Sequence, residues 1–178
     1  MANMTPVPSN AELDQWISQC AAGDSHALEQ LYRATSPAVY AYLLSVLKNS
    51  HDAEDAMHDT YLKIWAGAAG YRSQGKPMAW ILTIGKNICL KQLNRQSKHA
   101  PSPEDWMEHP SHSNELPQED KWVIQQCMEQ LPDDARQIIV LHAVGGFKHR
   151  EIAELLGLPL PTVLSKYHRS IRKLKTLF

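Results

Sequence analysis

The sequence lacks the motifs that most enzymes use to hold phosphate or activate a nucleophile. It contains no glycine-rich phosphate loop, no nucleophile elbow and no paired catalytic carboxylates. Histidine is common, but His149 begins HREIAE rather than an HExxH helix, and His109 and His112 lie in a proline-rich stretch without a nearby cysteine. We therefore expect a protein that is not an enzyme, with no catalytic residue, no metal site and no cofactor.

Cysteines and long apolar runs are also scarce. Cys20, Cys89 and Cys127 are odd in number, widely separated and without CxxC spacing, which favours buried or free thiols in a reducing compartment. The start, MANMTPVPSN, lacks the basic and then apolar order of a signal peptide. The longest apolar run, VYAYLLSVL, has about half the length needed to span a bilayer. These features predict a cytoplasmic protein that does not insert into a membrane.

Acidic residues are absent from two long stretches, although the net charge is only -1. The segment from Glu12 to Asp59 is acidic, with Arg33 and Lys48 as its cations. Residues 60–103 contain no acid, and neither do residues 155–178, while both stretches carry several lysines and arginines. The near-neutral total thus conceals two basic blocks where a polyanion can dock.

Alternation of period two is missing, and helical periodicity dominates the chain. This predicts an all-α fold. Ser9 and Asn10 are candidate caps for a first helix, and Ser50 or Asp52 for a later one. Pro37 is expected to open a new helix after a break.

A segment poor in aliphatic residues divides the chain. Residues 96–118 hold four prolines among polar side chains, so they cannot bury enough apolar surface to fold alone. They predict a flexible linker between two small helical domains, 9–95 and 119–178.

The second domain contains a tight corner between two helical patterns, AELLGLPLPTVLSKYHR. Ala153 and Gly157 have the spacing of a helix-turn-helix, which needs a small residue at the crossing and glycine in the turn. Pro161 suits the first turn of the second helix, and Thr162 lies beside its positive end. The alternative is an ordinary helical hairpin with a solvated basic face.

The second helix of the corner offers polar and cationic side chains to DNA. Ser165, Lys166, His168 and Arg169 can reach base edges or phosphates in a major groove. This interpretation makes it a recognition helix.

The acid-free stretch of the first domain mixes cations with aromatic residues, which suits a surface that stacks the bases of a single strand. We expect Trp65 and Trp80 to be core residues. We expect Tyr71, Arg72 and Lys76 to lie in an exposed loop.

Two long segments carry a family resemblance. AEDAMHDTYLKIWAGAAGYRSQGKPMAWILTIGKNICLKQLNR resembles the second conserved region of the extracytoplasmic-function sigma factors of bacterial RNA polymerase. LPDDARQIIVLHAVGGFKHREIAELLGLPLPTVLSKYHRSIRKL resembles their fourth region, and a variable linker between the two is also typical of that family.

The resemblance implies roles for individual residues, with core RNA polymerase and promoter DNA as partners. Polymerase binding falls to the acidic helix, with candidates Asp52, Asp55, Asp59 and Leu62. Binding of the −10 element falls to Tyr71, Arg72, Lys76, Asn87 and Lys91. Binding of the −35 element falls to Arg150, Thr162, Ser165, Lys166, His168, Arg169 and Lys173. The resemblance also implies an anti-sigma factor as inhibitor and a path for the linker through the polymerase channels.

The chain departs from the family pattern in the recognition helix. Pro161 stands where a glycine is usual, Leu164 where a cation is common, and Tyr167 where leucine is common. These changes predict a different −35 sequence or weaker duplex binding. The alternative function is a stand-alone helix-turn-helix regulator that binds duplex DNA without polymerase. That alternative gives no role to the acidic helix or to the basic aromatic segment.

Overall fold

The structure is a computed structural model that describes residues 7–96 and 116–176. Over these residues it contains α-helices, one short 3-10 turn and no strand, which confirms the all-α prediction. The first group of helices is α1 (Asn10–Ala21), α2 (Ser25–Leu47), α3 (Ser50–Gly67) and α4 (Pro77–Arg95). The second group is α5 (Gln118–Gln130), α6 (Asp133–Ala143), α7 (His149–Leu156) and α8 (Leu160–Lys175).

The first group packs around α2, which contacts α1, α3 and α4. Its core consists of large side chains that are almost wholly excluded from solvent, including Ile17, Leu31, Leu43, Met57, Ile64 and Ile81. Helix α4 approaches closely at Gly85, where a Cβ atom would lie 3.0 Å from Leu43 Cδ2. This packing fixes the orientation of α3 and α4, which carry the predicted polymerase and −10 residues.

The expected break at Pro37 was wrong, since α2 runs unbroken through this proline. Proline removes one helical hydrogen bond and costs ~3 kcal/mol in a helix interior. The following turns, from Val39 to Leu44, are almost entirely buried. Because burial of each large apolar side chain contributes about 1.5–3 kcal/mol, this run offsets the cost of the proline.

Short polar side chains cap the first three helices. Ser9 caps α1 as predicted: Ser9 Oγ accepts from the Glu12 N–H at 3.2 Å, and Glu12 Oε2 accepts from the Ser9 N–H at 2.8 Å. Neither predicted cap of α3, Ser50 or Asp52, is the observed one. Asn49 is the cap, its Oδ1 accepting from the Asp52 N–H at 2.9 Å, so Ser50 is the first helical residue.

The second group contains the predicted helix-turn-helix. Helix α7 ends at Gly157, whose φ of 66° lies in the left-handed region, and α8 begins three residues later. The Leu158 N–H donates to the Ala153 carbonyl at 3.0 Å and closes the corner. Ile152 and Val163 fill the angle between the helices and are fully buried.

Most of the predicted linker, residues 97–115 of 96–118, lies outside the described residues. Its described end is anchored, because the Leu116 side chain is buried against the core just before α5 begins.

We expect Gly157→Ala to destabilise the second domain by about 1 kcal/mol, because a Cβ atom strains a left-handed residue. Urea unfolding followed by circular dichroism measures the change. Gly67→Ala is the control, since Gly67 has φ -96° and a Cβ there meets nothing nearer than 4.0 Å. Equal unfolding midpoints for the two variants would contradict this account of the corner.

Candidate nucleic-acid interface

The recognition helix α8 gathers most of the predicted −35 residues on one element. Its buried side is formed by Val163, Ser170 and Leu174. The predicted residues Ser165, His168, Arg169 and Lys173 are exposed, whereas Thr162 and Lys166 are half-buried. Arg150 is exposed on α7, the first helix of the corner.

Two of the predicted cations are partly engaged within the domain. Lys166 Nζ lies 3.4 Å from Asp134 Oδ2 on α6, and Lys173 Nζ donates to the Gln130 carbonyl at 2.5 Å. Arg169 instead donates to Ser165 Oγ at 3.2 Å, within the exposed face of α8. Arg169 thus has no described bond to a carboxylate or a backbone carbonyl and stays on the exposed face of α8.

Arg172 belongs to the same exposed face, although it was not among the predicted site residues. It follows Arg169 by three residues and Ser165 by seven, which is the spacing of one helical face. The position of Arg172 in the acid-free segment 155–178 could therefore have identified it from the sequence.

A stack of aromatic rings lies beneath the recognition helix. The Tyr167 ring centroid is 5.0 Å from that of His142, 4.4 Å from His149 and 5.5 Å from His168, and the two rings of His142 and His149 are 4.5 Å apart. His142 Nδ1 lies 2.8 Å from the Phe147 carbonyl, which can only accept, so this nitrogen donates. Tyr167, which stands where the family commonly has leucine, therefore packs against histidines of α6 and α7.

The surroundings of His149 disfavour its charged form. Its Nδ1 is buried and has no hydrogen-bond partner. Burial first, and then the neighbouring His142 and His168, lower the pKa of His149 from its ordinary value.

The predicted −10 residues fall into two places on the first group of helices. Arg72 and Lys76 are exposed in the loop before α4, as expected. Asn87 and Lys91 lie on α4 itself and line an open groove of about 620 Å³ with Lys63 of α3.

Tyr71 differs from the expectation of exposure, because it is half-buried. Its hydroxyl donates to Asp14 Oδ1 at 2.5 Å, and its ring lies 4.6 Å from that of Trp80. Burial, followed by the hydrogen bond to Asp14, raises the pKa of Tyr71. Since Ser73 Oγ also donates to Asp14, at 2.7 Å, this carboxylate ties the loop to α1.

Helix α3 carries the predicted polymerase residues. Asp55 and Asp59 are exposed, and Asp55 Oδ2 is 3.4 Å from His51 Nε2. Asp52 is half-buried at the start of the helix, and the Leu62 side chain is 67% exposed. The acids and Leu62 thus lie along one helix.

Leu62 borders an apolar groove that was not predicted. The groove measures about 620 Å³ and is lined by residues of α2 and α3, among them Leu28, Tyr32, Tyr61, Leu62 and Trp65. The expectation that Trp65 is a core residue was wrong, since its side chain is 36% exposed here. Trp80 is half-buried and packs against the core.

No other chemistry is evident in the described residues. Cys20, Cys89 and Cys127 are free and buried, and burial raises the pKa of Cys89 and Cys127 to about 12. Residues 7–96 and 116–176 contain no group of three or more metal-binding side chains. None of their helices is long and apolar enough to cross a membrane.

Two sequence profiles match the chain in the order that the geometry suggests. Sigma-70 region 2 matches residues 31–99, and Sigma-70, region 4 matches residues 115–174. The first match spans the groove and loop of the −10 candidates, and the second spans the helix-turn-helix. The chain is thus a two-region protein of the sigma-70 class.

Similarity to individual proteins defines the family more narrowly. The chain is 31% identical over 92% of its length to the ECF RNA polymerase sigma factor SigK of Mycobacterium sp. strain KMS, covering 89% of that protein. It is 28% identical over 95% of its length to the ECF RNA polymerase sigma factor SigM of Mycobacterium tuberculosis, covering 84% of that protein. The chain belongs to the extracytoplasmic-function (ECF) sigma factors, which are transcription initiation factors and not enzymes.

Solved structures share the fold. The chain resembles RpoE of Bartonella quintana, solved with the anti-sigma factor NepR, with a TM-score of 0.65, 24% identity and coverage of 84% of this chain and 94% of that one. It resembles CnrH, solved with the cytosolic domain of CnrY, with a TM-score of 0.63, 22% identity and coverage of 93% and 96%. As an ECF sigma factor, the protein binds core RNA polymerase and promoter DNA.

The histidine stack predicts that acid destabilises the second domain. The pKa of His149 is lower in the folded protein than in the unfolded chain. As the pH falls, the imidazole is therefore protonated in the unfolded chain at a higher pH than in the folded protein. The resulting stability is present above the ordinary pKa of 6.5 and is lost as the pH falls through the lower pKa of the folded state. We expect His149→Phe, which retains a stacking ring, to reduce the fall in the urea midpoint between pH 7.5 and 5.5.

The control is His58→Asn, because His58 is exposed on α3. It should leave the pH dependence of the urea midpoint as in the unsubstituted protein. A fall in midpoint that is identical in all three proteins would remove His149 as its cause.

Proposed function

We propose that the two domains divide the work of transcription initiation. Residues 9–95 bind core polymerase and the −10 element, residues 119–178 bind the −35 element, and residues 96–118 join them along the polymerase channels. The main support is that one chain carries a basic recognition helix, a separate basic groove and an acidic helix with an apolar border. A stand-alone regulator of duplex DNA needs only the first of these.

The polymerase-binding surface is the exposed side of α3 with its apolar groove. Asp52, Asp55 and Asp59 supply charge, and Leu62 and Trp65 supply an exposed apolar area beside it. Charged residues favour encounter and orientation, while buried apolar anchors supply most of the affinity at protein interfaces. The combination suits a basic, amphipathic helical element of polymerase.

The −10 element lies along α4 and the loop before it. Asn87 offers a donor and an acceptor to a base edge, and Lys91 a cation to phosphate, in the groove beside Lys63. Arg72 and Lys76 extend the positive surface to the loop. Tyr71 serves this site as a support for the loop through Asp14, and its ring face is shared with Trp80.

The −35 element lies against α8. Ser165, His168 and Arg169 face the base edges, while Arg150, Thr162, Lys166 and Lys173 contact phosphates. Arg169 is the candidate for direct readout, because a guanidinium can make two hydrogen bonds to guanine. His168 is exposed at the edge of the ring stack and adds a further polar contact.

An anti-sigma factor is proposed as the protein's regulatory partner. RpoE of Bartonella quintana was solved with the anti-sigma factor NepR, and CnrH with the cytosolic domain of CnrY. The exposed apolar groove on α3 gives a partner of this kind a surface to cover. Because polymerase and promoter are its other partners, the protein acts in the cytoplasm.

In vitro transcription tests the proposed function. Purified protein is added to core RNA polymerase and a DNA template that includes the region upstream of its own gene. We expect initiation only when the protein is present. Binding to this DNA without any binding to polymerase would favour the stand-alone regulator instead.

We expect Arg169→Ala to reduce transcription from a −35-dependent promoter roughly tenfold, because a bidentate base contact is lost. The salt dependence of promoter binding should change little for this variant, since its contact is to a base. Lys173→Gln removes a phosphate contact and should flatten the salt dependence by about one unit. Arg33→Ala, on the exposed face of α2, is the control and should behave as the unsubstituted protein.

We expect Asp55→Arg to weaken binding to core polymerase roughly tenfold without unfolding the chain, because Asp55 is exposed and its only described ion pair is with His51. Fluorescence anisotropy of labelled protein titrated with core polymerase measures the affinity. Glu129→Arg, the same charge reversal on the exposed side of α5, is the control. Equal affinities for the two variants would place the polymerase contact elsewhere.

A further inference from the structure

One leucine of the recognition helix lies outside the packing of its domain. Leu164 is half-buried, as are Leu160 and Tyr167 of the same helix, but those two pack against the core of the described residues and Leu164 does not. Every other half-buried leucine, isoleucine, valine, methionine, tryptophan or tyrosine that the structure describes packs against that core. Core packing therefore does not account for a leucine at this position.

The place of Leu164 along α8 turns it toward the outer face of the helix. It follows Val163, which is fully buried, so it is rotated by about 100° from the buried side. Ser165 and His168, one and four residues further on, are both exposed. Helix α8 begins at Leu160, only four residues earlier, and the N-terminal residues of a recognition helix are those that contact base edges.

The exposed face around Leu164 combines polar side chains with one further apolar residue. Pro161 is exposed three residues earlier, which is the spacing of neighbours on a helix surface. Pro161 and Leu164 thus form a small apolar patch beside Ser165, His168 and Arg169. Neither side chain of this apolar patch can donate a hydrogen bond to a phosphate or a base. Its favourable partner on DNA is therefore an apolar group.

The major groove offers one such group, the C5 methyl group of thymine. Adenine, guanine and cytosine present hydrogen-bond donors and acceptors there. A cation, which the family commonly has in place of Leu164, favours the two acceptors of guanine or a phosphate. Leucine at this position therefore moves the preference from guanine to thymine.

We propose that Leu164 contacts the methyl group of a thymine in the −35 element and makes the chain select thymine at that base pair. This role rests on the proposed function, in which α8 binds the −35 element. Pro161 widens the apolar patch, while Ser165 and Arg169 supply the polar contacts to neighbouring bases. The departure at Leu164 then gives a different −35 sequence rather than weaker duplex binding.

Selection from random DNA identifies the base pair. The full chain is assembled with core RNA polymerase and mixed with duplexes whose random stretch is long enough to hold both promoter elements. One pool contains thymine, and a second contains uracil, which pairs in the same way and lacks only the C5 methyl group. We expect the upstream enriched motif to prefer thymine at one position, and we expect the uracil pool to lose that preference.

Leu164→Arg reverses the preference in the same selection. The guanidinium favours the acceptors of guanine, so we expect guanine to replace thymine at the identified position of the upstream motif. The downstream motif is the internal control, because the substitution lies in the second domain. It should be the same for Leu164→Arg and for the unsubstituted protein.

A cycle of two changes, one in the protein and one in the DNA, measures the contact itself. A fluorescein-labelled duplex from the selection carries thymine or uracil at the identified position only, and fluorescence anisotropy measures its affinity for the chain with core polymerase. We expect uracil to weaken binding about fourfold for the unsubstituted protein, the effect of one buried methyl group. Leu164→Ala should bind the two duplexes nearly equally. Because each ratio is taken within one protein, any loss of folded protein cancels.

Leu93→Ala is the matched control, because Leu93 is an exposed leucine on α4 in the first domain. Its ratio of thymine to uracil affinity should equal that of the unsubstituted protein. Leu164→Met keeps a flexible apolar side chain and should retain the thymine preference.

An upstream motif without a thymine preference would overturn the role of Leu164. An equal loss of affinity on uracil in the unsubstituted protein and in Leu164→Ala would overturn it as well. In both cases the assignment of the −35 element to α8 would stand, because an upstream motif is still recovered. Recovery of no upstream motif would instead overturn that assignment, and the role of Leu164 with it.

Discussion

The basic surfaces of this chain have no acids beside them in sequence, so any acidic partner of a cation there comes from another part of the chain. In the free protein, several of these charges come from backbone carbonyls at helix ends and from acids of another helix, as with Lys86 and the Leu155 carbonyl, or Lys173 and the Gln130 carbonyl. These partners are weak compared with the phosphates of DNA, which carry full charges at close spacing. Backbone carbonyls therefore satisfy these cations as hydrogen-bond donors without cancelling their charge.

The recognition helix shows how a local departure from a family pattern is compensated nearby. Tyr167 is larger than leucine and carries a polar hydroxyl, yet it is accommodated because His142 and His149 supply flat rings on both neighbouring helices. The packing leaves Arg169 and Ser165 on the outer face, where their own hydrogen bond orients them. Tyr167 therefore changes the support of the recognition helix rather than its exposed surface.

Much of the fold could be predicted because its signals are local. Helical periodicity gave the all-α class, and Gly157 and Ala153 gave the corner, since both depend on backbone geometry within a few residues. The expected break at Pro37 was wrong because the cost of the proline is outweighed by burial of α2 against five other helices, which no local pattern reveals. The predictions that Trp65 is a core residue and that Tyr71 is exposed were wrong for the same reason. Trp65 lies at the open groove between α2 and α3, and Tyr71 is held by its hydrogen bond to Asp14, far away in sequence.

The contact between the domains was beyond sequence reasoning, because it joins helix ends that have no motif. It nevertheless follows a simple rule, since a helix without a basic last turn leaves its carboxyl end available to any cation that can reach it. Arg136 is the strongest example: although its buried Nε has no hydrogen-bond partner among the described residues, its two terminal nitrogens donate to the Ser45 and Leu131 carbonyls and to Asp133, so acceptors from both domains hold one buried charge.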